Sequence, residues 1–225
     1  MPDEAKPSAA VPHPSPEARW PAFLGVLAIA GLQFALPQHL RTGPSWLLLV
    51  VVILMEIPVV VARRTGRLEA SQNFAYAVLA VITTALIVSL GRLIFGGVVG
   101  KDAGPKDLLL AATGLWFSNI LTFAVWYWRL DAGGPHARDK RHFHDQGSFF
   151  FPPMAMNDEL RKVLDLDRWR PGFVDYLFLS FCTSTAFSPT DTPVLTRWAK
   201  VLTMIQGLIS LSTVGILAAR AVNVL

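Results

Sequence analysis

Near the C-terminal end of the chain, a stretch rich in hydroxyl side chains ends in a carboxylate. It consists of Thr183, Ser184, Thr185, Ala186, Phe187, Ser188, Pro189, Thr190 and Asp191. Hydroxyl and carboxylate oxygens can replace part of the hydration shell of a cation, and a ring of Asp residues at a pore mouth favours cations. The residue types therefore predict a loop that binds or conducts cations. The alternative is that the hydroxyls bond to backbone or to neighbouring helices, and that Asp191 forms a turn before Pro193.

The apolar helix after this loop contains four residues that are also candidates for contact with an ion or for a hinge: Gln206, Gly207, Ser210 and Gly215. In a pore, Gln206 or Ser210 would face the ion and a glycine would allow the helix to bend. In ordinary packing, the same small and polar residues let helices approach closely. Both interpretations stay open at this level. Asn119, in an earlier apolar segment, is predicted to form an interhelical hydrogen bond.

Two further groups of titratable residues are candidate sites. Glu56 lies inside an apolar segment, where a carboxylate is costly and is either functional or paired, with Arg92 or another basic residue as its partner. A weak metal site could be formed by His142, His144 and Asp145, but their spacing favours a solvated loop. Because no nucleophile and base are recognisable, we predict neither an enzyme nor a cofactor.

The composition predicts a membrane protein. Of 225 residues, 52% are hydrophobic and 16% are charged, whereas soluble domains are about 25% charged. The net charge of +4 does not indicate nucleic-acid binding, because the basic residues lie in loops between apolar segments. Cys182 is the single cysteine, which excludes an intrachain disulfide. Residues 1–18 are predicted to be a disordered tail, and they lack the apolar core of a signal peptide.

Apolar runs near the ~20 residues that cross a bilayer predict five spans, at residues 20–36, 45–62, 71–90, 106–128 and 195–222. A further apolar run, residues 173–187, is shorter and is predicted to be re-entrant, with six transmembrane helices as the alternative. We therefore expect an all-α integral membrane protein. Its regions would be the tail (1–18), a three-helix peripheral domain (19–105) and a pore-like module (106–225). The module divides into an outer helix (106–129), a long loop (130–172), a pore helix and loop (173–193) and an inner helix (194–225).

The orientation in the membrane is open between two arrangements. If residues 173–187 span the bilayer, the positive-inside rule favours a topology with residues 63–67 and the long loop on the cytoplasmic side. A pore loop would put both segments outside. Long segments follow the charge rule poorly, but the arginines of residues 63–67 still count.

Residues 173–222 resemble the pore region of the potassium-channel superfamily. The residues that carry the resemblance are Asp175, Tyr176, Leu177, Ser180 and Phe181 in the short helix, Thr183, Ser184 and Thr185 before the filter, Asp191 and Pro193 after it, and Arg197, Trp198 and Lys200 at the start of the last helix. The resemblance implies four subunits that each supply one loop. The family pattern TVGYG is absent, since residues 185–190 contain no glycine and Pro189 restricts Ser188. A site built from Ser188 and Thr190 hydroxyls and the Asp191 carboxylate is therefore expected.

The chain is also similar, over most of residues 20–225, to a bacterial family of uncharacterised integral membrane proteins. The similarity rests on residues 127–135 (YWRLDAGGP), 151–153 (FPP), 186–191 (AFSPTD) and 219–223 (ARAVN). It implies a multi-pass protein of the bacterial plasma (inner) membrane.

Together these features predict a homotetrameric channel for monovalent cations, K⁺ or Na⁺. A voltage sensor is not expected, because the first three spans carry no regular arginine ladder. The alternative is a non-conducting structural or partner-binding membrane protein, in which the long loop is the partner site. The expected partners are the lipid bilayer, monovalent cations and further copies of the chain, without nucleic acid.

Overall fold

The fold is taken from a computed structural model, which describes residues 17–36, 43–44, 46–99, 105–141, 143–144, 146–189 and 191–222. Within these ranges the regular structure is helical, apart from one antiparallel bridge between Phe149 and Val194. The helices are α1 (Trp20–Ala35), α2 (Leu47–Arg64), α3 (Leu68–Val99), α4 (Pro105–Leu130), α5 (Pro135–Asp139), α6 (Asp158–Val163), α7 (Phe173–Thr185) and α8 (Arg197–Val222). Two 3₁₀ turns, Asp131–Gly133 and Pro152–Ala155, lie in the long loop.

Three stretches of the described chain are long and apolar enough to cross a membrane: Leu68–Phe95, Leu109–Gly133 and Arg197–Ala219. Helix α1 has a shorter apolar stretch, Trp20–Leu32, and the 18 residues of α2 include three charged ones. The prediction of an all-helical membrane protein is confirmed in this coarser form. The count of five spans and a re-entrant helix remains a prediction.

Helix α3 is longer than the apolar pattern predicted. It runs from Leu68 to Val99, whereas the sequence predicted a span over residues 71–90. Glycine in a helix costs about 1 kcal/mol in water. In a membrane, however, each backbone group must be bonded within the segment, and glycine is more frequent in membrane helices than in soluble ones. The helix can therefore continue through Gly96 and Gly97.

Helix α4 is the centre of the bundle, and it packs against α1, α3, α7 and α8. The small residues Ala111, Ala112 and Ala124 are fully buried, which is how helix backbones approach one another closely in membranes. Helix α2 packs against α3 and α1. The hydroxyl of Ser71 on α3 donates a hydrogen bond to the carbonyl of Val59 on α2 at 2.9 Å, which joins these two helices.

The segment from α7 to α8 starts and finishes at the same end of α4. In the first turns of α7, the Tyr176 hydroxyl donates a hydrogen bond of 2.7 Å to the Asp131 carboxylate, which directly follows α4. Beyond α7, the bridge between Phe149 and Val194 attaches the chain to the long loop again. Helix α8 begins three residues later, at Arg197. Both α7 and α8 therefore run away from the long loop, antiparallel to α4.

Candidate functional site

The predicted ion loop divides into a buried and an exposed part. Thr183 and Ser184, in the last turn of α7, are buried, whereas Thr185 and the following three residues are exposed on the surface of the single chain. The Thr183 hydroxyl donates to the carbonyl of Leu179 at 2.9 Å, and the Thr185 hydroxyl donates to the carbonyl of Phe181 at 2.9 Å. Both threonine hydroxyls thus bond to their own helix.

The exposed part of the loop contains a left-handed residue although it has no glycine. Phe187 has a φ of 54°, a conformation that bulky side chains seldom adopt and that is typical of constrained sites. Ala186 and Ser188 beside it are exposed. Asp191 is exposed as well, whereas Thr190 lies outside the described residues. The carboxylate is therefore accessible from outside the chain.

A cleft of about 410 Å³ separates this loop from α8 and opens on the protein surface. It is lined by Thr183, Phe187, Pro189, Thr203, Met204, Gly207, Leu208 and Leu211. A methyl group placed on Gly207 or on the exposed Gly215 would meet no atom within 4 Å in the single chain. Neither glycine is therefore required by packing inside the single chain.

Gln206 and Ser210 lie inside the chain, in what we call the glutamine cluster (Tyr127, Ser180, Ser184, Gln206 and Ser210). The amide nitrogen of Gln206 donates to the hydroxyl oxygens of Ser180 and Ser184, both at 2.8 Å, and to the carbonyl of Ser180 at 2.7 Å. Its amide oxygen accepts a hydrogen bond from the Tyr127 hydroxyl of α4. All five residues are fully buried, so the cluster ties α7 and α8 to α4.

Three further bonds extend this contact between the helices. The Ser210 hydroxyl donates to the carbonyl of Ser184 at 2.6 Å and accepts from the Trp116 indole at 3.1 Å. Asn119 of α4 donates to the carbonyl of Gln206 at 3.2 Å, which confirms the predicted interhelical bond. In the single chain, the contacts of Gln206 and Ser210 are those of the packing alternative.

A second buried group, which the sequence did not reveal, lies where the long loop meets α4 and α7. We call it the aspartate cluster (Asp131, Arg138, His144, Ser148 and Tyr176). The Asp131 carboxylate accepts hydrogen bonds from the Ser148 amide at 2.5 Å and from the Tyr176 hydroxyl at 2.7 Å, and it lies 3.4 Å from Nε2 of His144. Asp131 is 0% exposed. The only sequence signal was the stretch LDAGGP, in which Asp131 follows an apolar helix.

Arg138 connects the aspartate cluster to the N-terminal segment. Its guanidinium is 1% exposed and donates to the carbonyls of Trp128 and Asp131 at 2.8 and 3.0 Å. It also forms an ion pair of 3.0 Å with Glu17. Its guanidinium carbon lies 5.1 Å from the centroid of the Tyr176 ring. These contacts fasten the long loop over the end of the bundle.

The remaining predicted residues are separated from the loop. Glu56 lines a cavity between α1, α2 and α4 that it shares with Arg129, which is one of the basic partners that the sequence left open. His144 lies in the aspartate cluster, while His142 and Asp145 are outside the described residues. Among the residues that the structure describes, no group of three or more His, Cys, Asp or Glu side chains could hold a metal ion.

No family model matches the chain, and comparison with curated proteins and with solved structures also gives no match.

Proposed function

We propose that the chain is one subunit of a homotetrameric pore-loop channel for monovalent cations. In this proposal α4 is the outer helix, α7 the re-entrant pore helix, residues 186–196 the return segment, and α8 the inner helix. The supporting observation is that segment 173–194 begins and ends beside the long loop. The 13 residues of α7 span about 20 Å, which is less than the ~30 Å of a hydrocarbon core.

The depth of the loop supports the same proposal. Ser184, at the end of α7, bonds to Ser210. Ser210 lies 13 residues after Arg197, or about 20 Å along α8 from its start. The return segment of about ten residues can cover this distance, at up to ~3.3 Å per residue. Non-helical backbone at such a depth is stable only when it is covered by protein or lines water. The exposure of residues 185–188 in the single chain therefore calls for neighbouring subunits around an aqueous axis.

The chemistry of the loop suits a cation. The C-terminal end of α7 carries the negative pole of the helix dipole, and this pole points toward the loop. The exposed Asp191 carboxylate would add one negative charge per subunit at the mouth. Because Gln206 and Ser210 are used to hold α7, the ion would meet the loop rather than these side chains.

Cross-linking tests the assembly directly, because Cys182 is the chain's one cysteine. In a Cys182→Ser background, Phe187→Cys should give covalent dimers under mild oxidation, since the four loops would meet at the axis. Trp20→Cys is the matched control, because Trp20 is also an exposed aromatic residue but lies on α1. Equal cross-linking of both variants, or of neither, would argue against a central loop.

Ion flux tests the activity. Liposomes that contain the full chain should pass K⁺ or Na⁺, and Asp191→Asn should reduce the flux several-fold, by roughly the effect of one lost charge per subunit. Asp167→Asn, the same change at an exposed site of the long loop, should leave the flux unchanged. Folded protein that passes neither ion would contradict the channel and favour a non-conducting partner-binding role.

A further inference from the structure

A cavity of about 330 Å³ lies between α1, α2 and α4, away from the proposed ion loop. Its charged lining comes from the ends of three helices, namely Arg19 before α1, Arg63 in the last turn of α2 and Arg129 in the last turn of α4. His136 of α5 closes the same side. Among the described residues of the lining, Glu56 is the single carboxylate. We call this space the arginine cavity.

The positive charge of the arginine cavity is only partly compensated by the protein. Arg19 is neutralised, because its guanidinium forms an ion pair of 2.6 Å with Asp139. Within the part of the chain that the structure describes, the guanidinium groups of Arg63 and Arg129 donate no hydrogen bond to any acceptor, and that of Arg129 lies 5.1 Å from the centroid of the Trp128 ring. A guanidinium carries five N–H donors that suit the oxygens of a phosphate or carboxylate. Two arginines without acceptors that line one cavity therefore point to an anionic ligand.

The local potential agrees with this inference. Burial, followed by the positive charges of Arg19 and Arg63, lowers the pKa of His136 to about 4. His136 is therefore neutral at pH 7 and adds no charge of its own. A bound anion would face arginines without a competing imidazolium.

The rest of the lining distinguishes a lipid from a free ion. The cavity is also lined by apolar side chains of α1 and α2, including Phe23, Val26 and Val60. Phe23 and Val60 are exposed on the surface of the chain as well, and Trp20, another lining residue, is 67% exposed. The cavity is thus continuous with the apolar surface that faces the bilayer. A phospholipid offers both a phosphate for the arginines and an acyl chain for this apolar side, whereas a free phosphate offers only the first.

We propose that the arginine cavity binds the phosphate of an anionic phospholipid, with Arg63 and Arg129 as its ligands and an acyl chain lying along α1 and α2. Basic cavities between membrane helices are recognised sites for such headgroups. Arg129 shares the cavity with Glu56, and the negative charge of this carboxylate would lower the affinity for the lipid phosphate. The site is independent of the proposed pore, because none of the lining residues that the structure describes belongs to α7, α8 or the loop between them.

The test is native mass spectrometry of the delipidated full chain titrated with phosphatidylglycerol, with phosphatidylcholine as the zwitterionic reference. Arg63→Gln and Arg129→Gln should each lower retention of phosphatidylglycerol about tenfold, the effect of losing one charge-assisted hydrogen bond. Arg67→Gln is the matched control, because Arg67 lies just after α2 but outside the cavity lining. Glu56→Gln should have the opposite effect and raise retention. Arg63 is exposed, so its variant tests the proposal even if Arg129→Gln fails to fold.

Three outcomes would overturn the proposal. An equal loss in Arg67→Gln would mean that the lipid is attracted by the surface charge in general. Equal retention of phosphatidylcholine would remove the role of the anionic headgroup. Displacement of the lipid by millimolar inorganic phosphate would identify the ligand as the free ion instead.

Discussion

Helix α7 is held at two levels by groups of different chemistry. Its N-terminal half is fixed by the aspartate cluster, where the Tyr176 hydroxyl donates a hydrogen bond to the Asp131 carboxylate beneath the long loop. Its C-terminal half is fixed by the glutamine cluster, where Ser180 and Ser184 bond to Gln206. The first cluster uses a carboxylate and a guanidinium, and the second uses an amide and hydroxyls.

The difference in chemistry between the two clusters corresponds to their distance from the ends of α4 and α8. The aspartate cluster lies at the end of α4, where the long loop supplies backbone donors and charged side chains to compensate a carboxylate. The glutamine cluster lies about 14 Å along α8, since Gln206 is nine residues after Arg197. An ionised group at that depth would be costly, whereas neutral interhelical hydrogen bonds are tolerated. The position of the loop that follows α7 thus depends on hydrogen bonds to a carboxylate at the end of α4 and on neutral hydrogen bonds further along α8, at Gln206.

Removal of the carboxylate should have the largest effect. Asp131→Ala leaves the Tyr176 hydroxyl and the Ser148 amide without their acceptor, and it removes the carboxylate that lies 3.4 Å from Nε2 of His144. We expect a loss of about 3–5 kcal/mol in the free energy of unfolding, as for other broken buried charge contacts. Unfolding in mixed detergent micelles measures it. Asp167→Ala, at an exposed site of the same loop, should change the stability by less than about 0.5 kcal/mol.

The neutral cluster should be less sensitive. Gln206→Met keeps a similar volume but leaves Tyr127 and Ser184 without their amide partner. The expected loss is about 2 kcal/mol, because several neutral bonds of the usual membrane strength are broken together. Gln146→Met, the same substitution at an exposed site of the long loop, is the control and should leave the free energy of unfolding unchanged. A loss at Gln206 that exceeds the loss at Asp131 would reverse the comparison.

The sequence predicted the helical elements better than the contacts between them. Apolar runs located the long helices, and the short run 173–187 corresponds closely to α7 (Phe173–Thr185). Asn119 was predicted to bond between helices because an amide in an apolar span needs a partner. The partners themselves depend on residues that are far apart in the chain, such as Glu17 and Arg138, which are 121 positions apart. Asp131 was missed for the same reason, since an acidic residue in a polar loop gives no sign that the loop folds back over it.

A matched pair of tyrosines compares one hydrogen bond from each cluster. Tyr176→Phe removes a donor to a carboxylate, whereas Tyr127→Phe removes a donor to a neutral amide. Hydrogen bonds to ionised groups are about twice as strong as neutral ones, so we expect losses of about 2 and about 1 kcal/mol respectively. The same unfolding measurement applies, and both substitutions leave the ring packing in place. Equal losses would show that the charge of Asp131 adds nothing to the contact.

The smallest expected effect is a pH dependence of the stability that comes from His136, in the long loop. His136 has a folded-state pKa of about 4 against 6.5 for the unfolded chain. Between these values the unfolded chain binds a proton that the folded chain does not, so stability falls as the pH is lowered from 7 toward 4. His136→Gln should remove this part of the slope, whereas Gln206→Met should retain it, because the glutamine cluster contains no group that titrates in this range. Unfolding should be followed from pH 7 to 5 in a zwitterionic detergent, which keeps anionic lipid out of the arginine cavity. An identical slope in the wild type and in His136→Gln would show that the ring is not shielded from protons in the folded chain, and that the arginines around it do not set its charge.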